Sequence, residues 1–393
     1  MIDYGRDKRQ DFGVDKLRGN GGRGAYQYPT GFGKTTTAFK AVKRFNPDKV
    51  VHVVVPTIPL KEQWDAQKQQ VLNTVEVFVV NTYITEPRQC DFLILDEAHR
   101  YSNVDAHLFS TVIDNCTCPN VMCLSASYTA DQLLFLASKG IPLIDSISLE
   151  EAVANGWVSP FITYNLGLNF TGTELEIYEK ASNIMKSHSP YFDGLNPFTA
   201  LKDKAALKVH CQENGHDYNN ICMRITRYNT FSQVRKATIY GAENKVKIIP
   251  QILNIVKGQI IIFSETQKYA NAVHDLIGKE AVIYHSKLKK EAKLKALEAI
   301  KSGKARVICT AKALDEGLDV PNLSCGVVAS GTSTERQNIQ RTGRAVRFKE
   351  GKKAIMINLY IKDSNEISWL KKRQQKLSTV RWINDLSEIE INE

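Results

Sequence analysis

The chain has 393 residues, 43% of them hydrophobic, with 52 Lys and Arg against 42 Asp and Glu and eight cysteines. That length exceeds one ordinary core and implies two or three domains, and the longest apolar runs fall far short of a membrane span, so no integral membrane protein is expected. Scattered cysteines without a secretory signal exclude a disulfide-stapled secreted domain and lead us to expect reduced thiols in an intracellular, cytoplasmic setting.

Short β-rich runs separated by helical stretches begin at 24–28, 50–55, 75–80, 92–95 and 121–124, the pattern of an α/β domain with a parallel sheet. The first run leads into YPTGFGKT at 28–35. Gly31 and Gly33 allow the backbone to curl so that successive N–H groups face phosphate oxygens; Lys34 reaches the β- and γ-phosphates, and the Thr35 hydroxyl suits Mg²⁺. Tyr28 stands where the strict phosphate-loop pattern has its first glycine. The run at 92–95 reads as a strand buried on both faces that delivers Asp96 and Glu97 at its carboxyl end, where parallel α/β sheets place ligands. Asp96 is suited to the metal and Glu97 to the water that attacks the γ-phosphate.

Beyond about residue 170 the pattern becomes polar and mostly helical, with turn signals at Ser189-Pro190, Gly194 and Asn196-Pro197. His210, Cys211, His216 and Cys222 fit no standard zinc spacing and read as ordinary side chains. A second α/β series follows at 259–263, 281–284, 306–309, 326–329 and 354–359, with helix-like sequence such as 287–301 between. It contains TAKALDEGLDVP at 310–321 and QRTGRAVR at 340–347. On a helix, Arg344 and Arg347 share a face, so both are candidates to meet the γ-phosphate. Residues 1–150 carry 16 basic against 17 acidic side chains and residues 151–393 carry 36 against 25, or −1 against +11, so a polyanion would lean on the second part.

In order along the chain, these motifs resemble those of superfamily 2 helicases and translocases of the DEAH type, in which two RecA-like domains clamp ATP between them. Gln10, 24 residues before Lys34, is similar to the family's adenine-reading glutamine, with Arg9 in the place of a common aromatic. YPTGFGKT resembles motif I, VVVPTIPLKEQW at 53–64 motif Ia, the DEAH of 96–99 motif II, and SAS at 125–127 motif III. IIFSET at 261–266 resembles motif IV, and the sequences at 310–321 and 340–347 motifs V and VI. The resemblance implies an α/β fold of two RecA-like parallel-sheet domains, at 1–160 and 248–393, with a mainly helical insertion or linker at 161–247 between them.

It implies ATP and Mg²⁺ as cofactors, held by Gln10, Thr30, Gly31, Gly33, Lys34, Thr35, Gly317 and Asp319, with Thr35 and Asp96 on the metal. Lys34, Asp96, Glu97, Gln340, Arg344 and Arg347 would carry hydrolysis. His99, Ser125 and Ser127 would couple nucleotide state to domain closure, and Pro56, Thr57 and Thr310 would touch a nucleic-acid backbone, with Lys61, Trp64 and Tyr83 as weaker candidates. The motif wording is similar to DNA repair, recombination and branch-migration helicases, phage ones included, which favours DNA over RNA and implies a host cytoplasm for a phage-encoded chain. With Gln10 so near the first residue, any accessory DNA-binding domain is expected either to be absent or to be the 161–247 segment.

Overall fold

The computed structural model describes residues 4–45, 50–70, 75–86, 88–102, 107–311, 323–331, 354–374 and 379–390. Two all-parallel sheets form the frame, as expected. The first has the order β3-β2-β4-β5-β1-β6, made by β1 (Arg23–Gln27), β2 (Val51–Val55), β3 (Val75–Val79), β4 (Phe92–Asp96), β5 (Asn120–Ser125) and β6 (Leu143–Ser146). Every residue of β2 and β4 is buried, as required of strands covered by helices on both faces. Among the helices of this domain, α1 (Tyr4–Gly19) packs on α2 (Lys34–Phe45), β1 and β6, and α3 (Ile58–Gln67) packs on β2 and β3.

The second sheet runs β13-β7-β12-β11-β8-β10-β9, from β7 (Phe161–Leu168), β8 (Gln259–Ser264), β9 (Ala281–His285), β10 (Val307–Ala311), β11 (Leu323–Val328), β12 (Ala354–Ile361) and β13 (Val380–Ile383). Here the expected helical reading of 161–247 is corrected at its start. Phe161–Leu168 is a strand, and it pairs residue for residue with β12, from Phe161 with Ala354 to Leu168 with Ile361. Its partner lies almost 200 residues later in the chain, so a reading that groups strands by sequence neighbourhood assigns it to the wrong unit.

The remainder of the segment is helical: Gly172–His188, Lys204–Glu213 and Tyr218–Gly241, each entered through a capping side chain, Thr171, Asp203 and Asp217. Phe192, Leu207, Cys211, Ile221 and Ile225 form its small core. Cys211 is thus a core residue, and among the described residues no group of three or more His, Cys, Asp and Glu is placed to hold a metal. No helix among them is long and apolar enough to cross a membrane. The expectation of uniformly reduced thiols is corrected at one place: Cys90 and Cys118 form a disulfide with Cα atoms 5.8 Å apart. They lie just before β4 and β5, which are adjacent parallel strands, so the sheet itself brings them together.

Candidate active site

The strand order β4-β5-β1 places three motifs side by side at the carboxyl ends of neighbouring strands. In register, Asp96 pairs with Leu124 and Gln27 with Ser125, so motifs I, II and III leave the sheet at the same level. Tyr28 N–H donates to the Ser125 carbonyl at 2.9 Å, joining the head of the phosphate loop to motif III. Gly31 and Gly33 have φ of 92° and 101°, a region that L side chains rarely occupy, and this bends the loop over the first turn of α2. Lys34 and Thr35 open that helix, with Lys34 Nζ 3.4 Å from the Tyr28 carbonyl. Thr30, Gly31 and Gly33 are half-buried around the loop.

Gln10 is 3% exposed and donates Nε2 to the Phe32 carbonyl at 2.9 Å, so it braces the loop from beneath. A Cβ at Gly33 would come within 2.6 Å of that nitrogen, a second reason for glycine there. Arg9, in the place of a common aromatic, is engaged within the protein. It forms a bidentate pair with Asp145 at 2.6 and 2.9 Å.

Asp96 is buried at the end of β4 and accepts from two donors, Trp64 Nε1 at 2.9 Å and the Glu97 N–H at 3.0 Å. Burial, and then the adjacent Glu97 charge, push its carboxyl up to about 6, against the pull of Lys34 and the two donors. Glu97 adopts φ 51° and ψ 45°, a left-handed conformation found at only one other non-glycine residue among those described. Strain of this kind is held in place by its surroundings. Its carboxylate lies 3.4 Å from His99 Nδ1, which in turn is 2.9 Å from Ser125 Oγ. Ser125 donates to the Ser127 carbonyl at 2.8 Å, and Gln132 donates to the His99 carbonyl at 2.8 Å. His99, Ser125 and the Ser127 backbone therefore form one chain from the acidic pair to motif III; the Ser127 hydroxyl itself is buried without a hydrogen-bond partner.

A magnesium nucleotide fits this donor set. Backbone N–H groups at a helix amino terminus and Lys34 suit phosphates, while the neighbouring carboxyls of Asp96 and Glu97, together with the Thr35 hydroxyl at the start of α2, are oxygen donors of the kind a divalent cation takes.

Trp64 is corrected from a weak track candidate to a buried support of motif II, 1% exposed, with its ring edge-on to Phe39 at 5.3 Å. Tyr83 is also buried, its hydroxyl 3.2 Å from His52 Nδ1, and Lys61 pairs with Asp65 on its own helix. Thr57 is half-buried at the amino end of α3, after buried Pro56. Thr310 is corrected more sharply. It is 1% exposed and donates its hydroxyl to the Ile262 carbonyl at 3.3 Å, so its side chain is not presented to a nucleic acid. Gly317, Asp319, Gln340, Arg344 and Arg347 lie outside the described residues.

Comparison with known proteins gives two family matches: the res subunit of type III restriction enzymes over residues 10–87 and the helicase conserved C-terminal domain over 244–349. The DNA 3'-5' translocase XPB2 of Sulfurisphaera tokodaii is 25% identical over 386 residues, 90% of this chain and 81% of that one. Among solved structures, Saccharomyces cerevisiae Dbp5 bound to RNA and ADP BeF3 covers 96% of this chain and 88% of its own at 17% identity, with a TM-score of 0.60. The Pyrococcus furiosus Hef helicase domain covers 92% and 97% at 15% identity, with a TM-score of 0.59. At those identities the likeness shows the fold. With its two RecA-like sheets and both domain matches, the chain is similar to the helicases and translocases of superfamily 2, whose members are ATPases coupled to translocation on nucleic acid or its unwinding.

Proposed function

We propose that the chain is an ATP-driven motor of the DEAH type that acts on DNA in preference to RNA, remodelling or unwinding forked or branched DNA. The observation that carries the DNA preference is the similarity to an archaeal DNA translocase along nine-tenths of the chain. The charge of +11 on residues 151–393 supports a polyanionic track.

ATP with Mg²⁺ supplies the phosphoanhydride bond whose hydrolysis drives the motor. Lys34 and the N–H groups of the loop bind and orient the phosphates, Gln10 stands on the base side, and Thr35 and Asp96 hold the metal. Glu97 accepts the proton of the attacking water. Its strained backbone aims the carboxylate, and His99 lies between it and Ser125, so a change at Glu97 reaches motif III through two contacts of 3.4 and 2.9 Å. Arg344 and Arg347 complete the site from the second domain in this reading, so that hydrolysis removes the charge that holds the domains closed. The half-buried Thr57 contacts phosphates without reading bases, as suits a motor that moves over any sequence.

The test is a pair of assays on the same DNA, displacement of a third strand from duplex and separation of a fork, with an RNA fork beside them. ATP-dependent displacement on DNA that exceeds that on RNA supports the reading. Equal or greater activity on the RNA fork overturns the DNA preference.

A further inference from the structure

β6 is a four-residue edge strand, yet it carries Asp145, whose side chain is 1% exposed. An ionised carboxylate is tolerated in such a place when it is paired and hydrogen-bonded on every side. Arg9 meets it with two nitrogens at 2.6 and 2.9 Å, Lys16 with Nζ at 2.8 Å, and Tyr28 donates its hydroxyl. Arg9 and Lys16 lie two turns apart on one face of α1. Tyr28 heads the phosphate loop. A single carboxylate therefore joins the edge strand, the helix that bears Gln10 and the loop that would hold the phosphates.

Neighbouring contacts follow the same line. Gln10, next to Arg9, donates to the Phe32 carbonyl in the middle of the loop. Tyr26 donates to the Gly13 carbonyl at 2.8 Å, and a Cβ at Gly13 would strike the Tyr28 hydroxyl and lie 3.2 Å from the Asp145 carboxylate. Helix α1 can approach the loop this closely because residue 13 has no side chain. The rings of Tyr28 and Phe32 meet edge-on at 4.9 Å, which fills the space between the two attachment points.

We propose that Asp145 is a positioning residue for the nucleotide: by clamping Arg9, Lys16 and Tyr28 it holds Gln10 and the phosphate loop as one unit, so that base selection and phosphate grip are set together. The inference rests on the ATP-site reading and adds to it a residue that no motif contains. Tyr28 gains a reason for replacing a glycine, since its hydroxyl gives the loop an anchor that a glycine lacks. A loop ordered before binding loses less freedom on binding, so a loosened clamp weakens ATP binding while turnover from the bound state changes less.

The experiment uses Asp145→Asn and Tyr28→Phe in the full chain, with displacement of a fluorescent ATP analogue by ATP and by GTP measured beside steady-state hydrolysis. Removing a hydrogen bond to a buried charge should raise Kd and KM for ATP about tenfold, lower kcat less than about threefold, and narrow the preference for ATP over GTP. Tyr28→Phe keeps the buried ring and removes one donor, so it reports the same direction if Asp145→Asn fails to fold. A Tyr28→Phe protein with lowered Tm but wild-type ATP affinity and ATP preference would make the cluster merely structural and overturn the proposal, as would a loss confined to kcat. Failure of the wild-type chain to bind ATP at all would remove the ATP-site reading and this proposal with it, an outcome distinct from variants that bind as wild type does.

Discussion

Trp64→Phe isolates one atom of the acidic site. The change keeps a ring against Phe39 but removes the indole N–H that reaches Asp96 at 2.9 Å. That donor is one of the groups that restrain a carboxyl already pushed up to about 6 by burial and by Glu97. A hydrogen bond to a buried charge contributes about 1.5–3 kcal/mol, and at about 1.4 kcal/mol per pKa unit its loss raises the carboxyl by roughly one to two units. Only ionised Asp96 serves a metal, so activity falls as pH drops through its pKa, and a raised pKa moves that loss to higher pH. The assay is kcat/KM for ATP hydrolysis against pH at fixed free Mg²⁺, which reports groups of the free enzyme. The acid limb should move upward by about one unit or more, leaving Asp96 at neutral pH half protonated or beyond. Phe39→Leu is the control: it disturbs the same packing and lowers Tm, yet leaves the acid limb in place. A Trp64→Phe limb that coincides with wild type would refute the reasoning.

Glu97→Gln should keep ATP bound while stopping turnover, whereas Lys34→Ala should weaken nucleotide binding itself; hydrolysis by Glu97→Gln near the wild-type rate with saturating DNA would remove Glu97 from the role of base. In the second domain, Lys245 and Glu366 are fully buried and meet at 2.7 Å, so Lys245→Met alone should cost about 3–5 kcal/mol. The double variant Lys245→Met/Glu366→Leu should cost less than the sum of the single changes in urea titrations, and strict additivity would mean the two groups do not act as a pair. For Asp145, burial alone would raise the carboxyl, but hydrogen bonds from Arg9, Lys16 and Tyr28 hold it below its ordinary value. A depressed carboxyl contributes stability that is complete above its unfolded pKa of about 4 and is lost as pH falls through the folded value. Thermal melts should therefore show Asp145→Asn well below wild type at neutral pH and closer to it in acid; a gap that widens in acid contradicts the sign.

The loop and the acidic pair were legible because each is a local pattern whose chemistry depends on a few adjacent residues: the bend at Gly31 and Gly33, and a buried run ending in Asp96 and Glu97. The strands that flank the sheets were not. β6 has only four residues and alternates little, and β7 finds its partners in β12 and β13 after the whole helical segment has intervened. Residues that act on a motif from a distance in sequence carry no spacing signal, as with Trp64 on Asp96 and Asp145 on Tyr28, which lie 32 and 117 positions apart. Trp64 offered one hint, since an indole on an amphipathic helix is more often core than contact. Thr310 shows the opposite failure: a residue type suited to phosphates stands inside β10, where its hydroxyl is used by the sheet. The disulfide between Cys90 and Cys118 depends on β4 and β5 being neighbours, a fact of topology rather than of spacing.

The central claim is that ATP hydrolysis at Lys34, Asp96 and Glu97 is coupled to a nucleic-acid track. Its most direct test is the steady-state ATPase rate of the wild-type chain, with Glu97→Gln as the inactive reference, against single-stranded, duplex, forked and four-way DNA and single-stranded RNA over a range of salt. Strong stimulation by DNA is expected, indifferent to base sequence and lost as salt rises because counterions compete for the same phosphate contacts. A rate that no nucleic acid changes, or stimulation by one base sequence alone that salt does not weaken, would contradict it.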